Sequence, residues 1–515
     1  MTVTPVLTET PTALVLCHSP DDTVAICLEP VREGQMVAGV HALSDIPAGH
    51  KIALRDHAAG APVMRYGQPI GIAREAIEAG AHVHSHNLDI GDLTRTHQFG
   101  AGRIGPQPTP EPRRFEGIRR ADGRVATRNY IGILTTVNCS AHVAELAAQA
   151  FARNPLTGHD PLAEFPNVDG VVAFGHKTGC GMAEGEALET LQRTITGYAR
   201  HPNFSHVIVL GLGCEVNQTN RLPGATTMDG RMYTMNIQRE GGTLKTVQAI
   251  GDLVRQLLPE ANAVTRDPAP LSHLSLALIC GGSDGYSGIT ANPALGVASD
   301  MLTAHGATVI LSETPETYGA EHLLSRRAIS DTVGQALVDR IDWWTDCAAR
   351  HGISLDANPS PGNKAGGLTT ILEKSLGALA KAGRSDLRQV VRYAEPATES
   401  GLVFMDGPGF DPVQVTGQIA SGANLVAFTT GRGSVFGSKP APTLKIATNS
   451  KIFTHMQDDM DIDAGPIARG DATAETKGAE IFEALIALAS GRKSKSEAFG
   501  FGGAEFAPWV IGPTI

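Results

Sequence analysis

Short apolar runs, each closed by glycine and small polar residues, set the rhythm of the chain from about residue 119 onward. Ile131 to Val137 ends in Asn138-Cys139-Ser140, Val168 to Phe174 in Gly175-His176-Lys177-Thr178-Gly179-Cys180, and Val207 to Leu210 in Gly211-Leu212-Gly213-Cys214-Glu215. Leu274 to Ile279 runs into Cys280-Gly281-Gly282-Ser283-Asp284. Later runs close at Ser312-Glu313-Thr314, Asp406-Gly407, Gly431-Arg432-Gly433 and Asn449. Helical stretches such as Ala141 to Ala152, with Ser140 as the expected cap, lie between them. Strands alternating with helices predict parallel α/β sheets, and such sheets bind ligands at the carboxyl ends of their strands. The loop after Leu274–Ile279 therefore draws the eye. Gly281 and Gly282 permit close backbone approach, while Cys280 and Asp284 supply a thiol and a carboxylate.

Residues 12–90 have a different texture: apolar Ala13–Leu16 and Val24–Leu28 with glycine and proline turns predict a small β unit. Ile70–Ala79 reads as a short helix ended by Gly80. As a strand, residues 81–87 would put His82, His84 and His86 on one face, where imidazoles suit a divalent metal or an anionic substrate. Residues 100–114 hold four prolines and three glycines and read as a linker. The boundaries that follow are 1–99 for the β domain, 115–268 for a middle α/β domain and 269–515 for a C-terminal α/β domain.

Composition narrows the function. Forty-two basic against 53 acidic residues, net −11, do not resemble a nucleic-acid binder, although a local basic pocket for an acidic metabolite is compatible. Seven widely spaced cysteines suggest free thiols in a reducing, cytoplasmic setting rather than a disulfide frame. No apolar run approaches the roughly 18 residues of a membrane helix, and the start MTVTPVLTET lacks a signal peptide's basic region. Any single cysteine is more often a small buried residue than a ligand. Four at strand ends, Cys139, Cys180, Cys214 and Cys280, point to metal or catalysis for at least two of them. Asn358 to Thr370 carries Lys364 in a Gly/Pro/Asn-rich loop suited to an active-site lid, and Gly431-Arg432-Gly433 suits a carboxylate. Gly281 to Gly285 also fits the Gly-x-Ser-x-Gly elbow, which would make Ser283, Asp406 and His455 a hydrolase triad. A non-enzymatic sugar-acid sensor is the remaining rival. No P-loop or dinucleotide fingerprint is present.

Beyond these features, longer motifs resemble one family. His82-Val-His84 with Asn87, Arg124-Val-Ala-Thr-Arg128-Asn129, Cys139, His176-x-x-x-Cys180 and Gly211-Leu-Gly-Cys214-Glu215 belong to the resemblance. So do Cys280 through Asp284 to Asn292-Pro293, Asn358-Pro-x-Pro-Gly-Asn363-Lys364, Gly431-Arg432-Gly433 and Lys445-Ile-Ala-Thr-Asn449. Together they are similar to the altronate dehydratase / galactarate dehydratase family over nearly the whole chain. The resemblance implies an N-terminal SAF (β-clip) domain, a middle domain used in homodimerisation, and a Rossmann-like C-terminal domain carrying a metal. It also implies an iron-dependent elimination of water from a sugar acid, with Fe2+ (or Mn2+) as cofactor. A related branch splits sulfite from sulfolactate by the same β-elimination logic. On this reading Cys180, Cys214 and Cys280 hold the metal, either one ion or an iron–sulfur cluster, with Glu215 and Asp284 near. His84 or His176 acts as base or acid. Lys364 and Arg432 hold carboxylate, and His82, Asn87, Ser283, Asn363 and Asn449 complete the substrate site.

Overall fold

The structure, a computed structural model, describes residues 6–10, 13–91, 96–105, 107, 110–154, 156–222 and 230–511. The N-terminal unit is all β. Its five-stranded antiparallel sheet runs Val6–Thr10, Ala13–Cys17, Val24–Cys27, Lys51–Ala53, His82–Val83. A second sheet orders Leu88–Asp89, Gln68–Ala73 and Pro62–Arg65. Val15, Ala25, Cys27, Val31, Val37, Ile46 and Ile52 form its small core. The expected helix over residues 70–79 is not there: Gln68–Ala73 is a strand paired on both sides, and Ile77 bridges His57. β-branched Ile70 and Ile72 fit pleated pairing, which overrides the local helical spacing.

The described part of the linker, which excludes residues 106, 108 and 109, lies along the C-terminal unit: Gly102 N–H donates to Arg326 O, and Ile104 N–H to Asp386. Residues 267–270, read from sequence as part of a boundary, form the strand Asp267–Pro270. It pairs antiparallel with Arg114–Arg119, so the two ends of the middle unit are stitched together.

Two parallel sheets follow. The middle sheet is ordered Gly170–Phe174, Tyr130–Thr135, Phe204–Gly211, Met232–Asn236, with Asn138–Gln149 and Thr243–Asn262 packed over one core. The C-terminal sheet has seven parallel strands: Leu387–Val391, Gly401–Met405, Thr308–Leu311, Ser275–Cys280, Leu425–Thr430, Thr443–Ala447, Ile462–Asp463. Gly401–Met405, Leu425–Thr430 and Thr443–Ala447 are buried at every residue because helices cover both faces. Chain order reverses between Ser275–Cys280 and Leu425–Thr430, which leaves a crevice beyond their carboxyl ends. The glycine-rich loop falls there. Among the described residues no helix is long and apolar enough to cross a membrane.

Candidate active site at the C-terminal sheet rim

The crevice is built by close backbone approach. Gly282 has φ +61°, and a Cβ on Gly431 would lie 2.1 Å from Asp284 Cγ. Asp284 is buried, and its carboxylate accepts from Thr448 Oγ1 (3.0 Å), Ser287 Oγ (3.1 Å), Asn449 Nδ2 (3.1 Å) and Tyr286 N–H (3.1 Å). Burial raises its pKa, and these donors pull the other way. Asp284 thus ties the loop to the neighbouring strand ends.

The β domain docks over this rim through a buried charge cluster. Glu373, on the C-terminal helix Ile371–Leu379, meets Lys51 Nζ (2.9 Å) and Arg65 Nη1 from the β domain, and Thr369 below. Burial alone would raise Glu373, but Lys51 and Arg65 hold it down at about 2. Arg65 also donates to Gly285 O (2.8 Å), and Tyr286 to Leu28 O (2.9 Å).

This docking gathers imidazoles. His82 and Val83 form a strand of only two residues, and the chain then turns, so strand alternation does not align the histidines. The turn does it instead. The ring centroid of His82 lies 5.5 Å from that of His84 and 5.6 Å from that of His86. His50 joins them, its Nδ1 3.0 Å from His82 Nε2 and its Nε2 3.3 Å from Ala365 O. A carbonyl only accepts, so His50 carries its proton on Nε2 and receives one from His82 Nε2 at Nδ1. In the neutral ring His82 Nδ1 is therefore the basic nitrogen, and it makes no hydrogen bond among the described residues. His84 is engaged on both sides, by Lys364 O (2.9 Å) and Ser85 Oγ (3.0 Å). Burial lowers His82 to about 3 and His84 to about 4, so both rings are neutral at pH 7.

Beside the cluster opens a cleft of about 530 Å³, lined by Asp284, Ala365, Gly366, Arg432, Asn449, Lys451 and His455, with Glu29 and Arg469 at its edge. Arg432, Lys451 and Lys364 form no ion pair among the described residues, whereas Arg469 pairs with Glu29 (3.2 Å).

Several sequence-predicted ligands hold the site rather than face it. Asn87 accepts from His84 N–H and donates to His82 O. Asn363 completes the capping box of its helix, its Oδ1 accepting from Ser360 N–H, and donates to Ser283 O (2.9 Å), while Asn449 caps Ser450–His455 and donates to Asp284. Ser283 Oγ lies 2.9 Å from Cys280 Sγ, and Asp406 accepts from Thr314 and Trp344, so the hydrolase triad is not assembled.

Sequence reasoning missed a second, smaller cleft of about 230 Å³ on the other side of the same loop, lined by Cys280, Glu316, Asn358, Lys374 and Asp411. Lys374 Nζ meets Glu316 (2.6 Å) and Asn358 Oδ1 (2.8 Å), and beyond it Lys381 meets Glu313 (2.9 Å). Burial and the nearby Glu316 push Glu313 up to about 8 and Asp411 to about 6. The available signal was two lysines seven apart, Lys374 and Lys381, in a largely apolar stretch interrupted otherwise only by Glu373 and Ser375, and a glutamate at the strand end Ser312-Glu313.

His176, Glu215, Cys180 and Cys214 lie at the rim of the middle sheet instead. His176 is buried and bonded at both nitrogens, to Thr135 O (3.0 Å) and Thr178 Oγ1 (3.1 Å), and burial lowers it to about 4. Glu215 accepts from Thr136 Oγ1 (2.8 Å) and the Gly213 N–H (2.6 Å). Cys180 and Cys214 are exposed, whereas Cys280 is buried at the end of a strand in the other sheet. The expected ligand trio Cys180, Cys214 and Cys280 is thus split between two sheets. Among the described residues no group of three or more His, Cys, Asp or Glu is arranged to hold a metal ion.

Comparison with known proteins agrees with the three-part architecture. Residues 13–91 match the altronate/galactarate dehydratase SAF domain, 117–262 the second domain of D-galactarate dehydratase/altronate hydrolase, and 271–514 the D-galactarate/altronate dehydratase C-terminal domain. The chain is 37% identical to galactarate dehydratase (L-threo-forming) of Escherichia coli over 498 residues, 94% of each chain. It is 36% identical to altronate dehydratase of Bacillus subtilis over 480 residues, covering 92% of this chain and 94% of that one. The beta subunit of (2R)-sulfolactate sulfo-lyase from Chromohalobacter salexigens is 32% identical over 391 residues, 75% of this chain and 95% of its own. With a SAF domain docked over the carboxyl rim of a parallel sheet and relatives aligned along almost its whole length, the chain belongs to the galactarate/altronate dehydratase family of hydro-lyases.

Proposed function

We propose that this protein eliminates water from a sugar acid of the altronate or galactarate type to give a 2-keto-3-deoxy acid, in the cleft lined by Arg432 and by Ala365, the residue that His50 of the imidazole cluster bonds. One arrangement carries the reading: Arg432 and Lys451, without an acidic partner among the described residues, line a cleft whose wall residue Ala365 is hydrogen-bonded to His50 of the imidazole cluster, in which burial holds His82 and His84 neutral. The reaction needs a base for the proton beside the carboxylate and an acid for the departing hydroxide. Arg432 and Lys451 bind carboxylate, the guanidinium in bidentate fashion. His82 Nδ1, the basic nitrogen of the His50–His82 relay, takes the proton. Lys364, half-buried next to His84, protonates the leaving hydroxyl. The enol that results tautomerises to the keto acid.

A divalent iron or manganese ion would supply Lewis-acid polarisation of the substrate carboxylate. The histidines and acids of this rim as they stand do not form a set for a single ion, so no step is assigned to one. The reversal of strand order supports reading the C-terminal unit as Rossmann-like. The test is a panel of aldonic and aldaric acids, with sulfolactate alongside, incubated anaerobically with iron and scored for keto product. Product from an altronate- or galactarate-type acid, and a His82→Asn variant with kcat down about 100-fold or more at similar KM, are expected. Sulfite release from sulfolactate with no turnover of any sugar acid overturns the reading.

A further inference from the structure

The rim of the middle sheet carries a feature that the cleft does not use. Three cysteines follow three adjacent parallel strands: Cys139 after Tyr130–Thr135, Cys180 after Gly170–Phe174 and Cys214 after Phe204–Gly211. All three are exposed, whereas Cys27, Cys280 and Cys347 are buried and Cys17 is half-buried. Cysteine is among the most buried residue types, so three exposed thiols at one sheet edge are not ordinary packing.

Their loops are knitted together. Asn138 N–H donates to Thr178 O (3.0 Å), Val216 N–H to Cys180 O (3.0 Å) and Asn217 N–H to Gly179 O (3.2 Å). Gly179, at φ +98°, comes so close to the Tyr130–Thr135 strand end that a Cβ would lie 2.1 Å from Thr136 O. Asn217 sits at the junction, fully buried. Its Nδ2 donates to Thr136 O (3.0 Å), and its Oδ1 is left without a partner among the described residues. Gln238 Nε2 lies 3.6 Å from Cys214 Sγ, a donor aimed at sulfur.

Among the described residues no three ligands here close around a single ion. Thiolates that share a polynuclear cluster stand farther apart, because each binds a different iron atom. We propose that Cys139, Cys180 and Cys214 hold an iron–sulfur cluster at this rim, Cys139 from the first turn of the helix Asn138–Gln149 and the other two from loops, with Cys280 taking no part. The assignment rests on these thiols alone and holds or fails independently of the substrate reading.

Full-length protein, reconstituted anaerobically with ferrous iron and sulfide and then desalted, tests it with no substrate present. Expected are matched bound iron and acid-labile sulfide, visible charge-transfer absorption, and a paramagnetic signal on reduction. Cys139→Ser, Cys180→Ser and Cys214→Ser should each lower the retained sulfide by roughly tenfold or more, and Cys280→Ser should retain it. Because the three thiols are exposed, their serine variants should melt with the parent, and that melt separates ligand loss from misfolding. Iron retained without sulfide, no retention at all, or loss on Cys280→Ser but not on Cys139→Ser overturns the proposal.

Discussion

The two parallel sheets end in the same local pattern, an apolar strand, a glycine turn and a cysteine, yet their rims differ. At the C-terminal sheet, the β domain and the segment 358–367 lie over the loop. Cys280 is buried against Ser283, and the charges pair as Glu373 with Lys51 and Arg65, and as Lys374 with Glu316. At the middle sheet nothing among the described residues covers the cysteines, and Cys139, Cys180 and Cys214 remain exposed. A covered rim can hold a proton-transfer relay and exclude water. An open one presents its sulfurs to whatever binds there. What a strand end can do is decided by what is packed over it.

Acid is expected to have the largest effect, and it reaches both rims. His201, buried and bonded to Ala423 O, is lowered from 6.5 to about 3, and His176 to about 4, both by burial. Between about pH 6.5 and 3 the unfolded chain therefore binds more protons than the folded one, and stability falls as pH falls. For His201 alone the gap is on the order of 5 kcal/mol. His201 joins the middle domain to Ala423 of the C-terminal unit, and His82 and His84 at the covered rim are lowered to about 3 and 4 in the same way, so thermal unfolding should show stability falling for the whole chain between about pH 6.5 and 4. A melting temperature unchanged over that range would mean that these rings are not held neutral by burial.

Glu373→Gln attacks the covered rim directly. It strands Lys51 and Arg65 in the interior and should cost about 3–5 kcal/mol by thermal unfolding. A loss under 1 kcal/mol would mean the β domain docks by other contacts. In the cleft, Arg432→Gln removes a charge-assisted contact worth about 1.5–3 kcal/mol. KM for the accepted sugar acid should rise about ten- to a hundredfold with little loss of stability, and an unchanged KM would place the carboxylate elsewhere. The smallest contrast is between thiols: Cys280→Ala should cost about 1 kcal/mol through lost burial and contact with Ser283, and Cys180→Ala should stay within about 0.5 kcal/mol.

Much of this was legible beforehand. Each of the strands Tyr130–Thr135, Phe204–Gly211, Ser275–Cys280 and Leu425–Thr430 lies within or close to an apolar run, because strands buried on both faces need continuous apolar residues. Gly282 and Gly431 mark the crevice, since only glycine fits there. His82 and His84 were visible as a pair. His50, 32 positions from His82, was not, for nothing local couples two rings that meet across a turn. Glu313 and Lys381 were invisible as partners for the same reason. The helix expected over residues 70–79 failed because pairing on both sides of Gln68–Ala73 outweighs local propensity.

By itself, then, the chain's order of residues determined its alternating elements, its glycine turns and the placing of four thiols at strand ends, because these depend on neighbours a few positions apart. Which thiols share a rim, which ring of the histidine group keeps a free nitrogen, and which amides brace the loop instead of facing a ligand were decided only in three dimensions. Those outcomes depend on one domain being laid over another, and the contacts that do so join residues hundreds of positions apart, as Lys51 and Glu373 do.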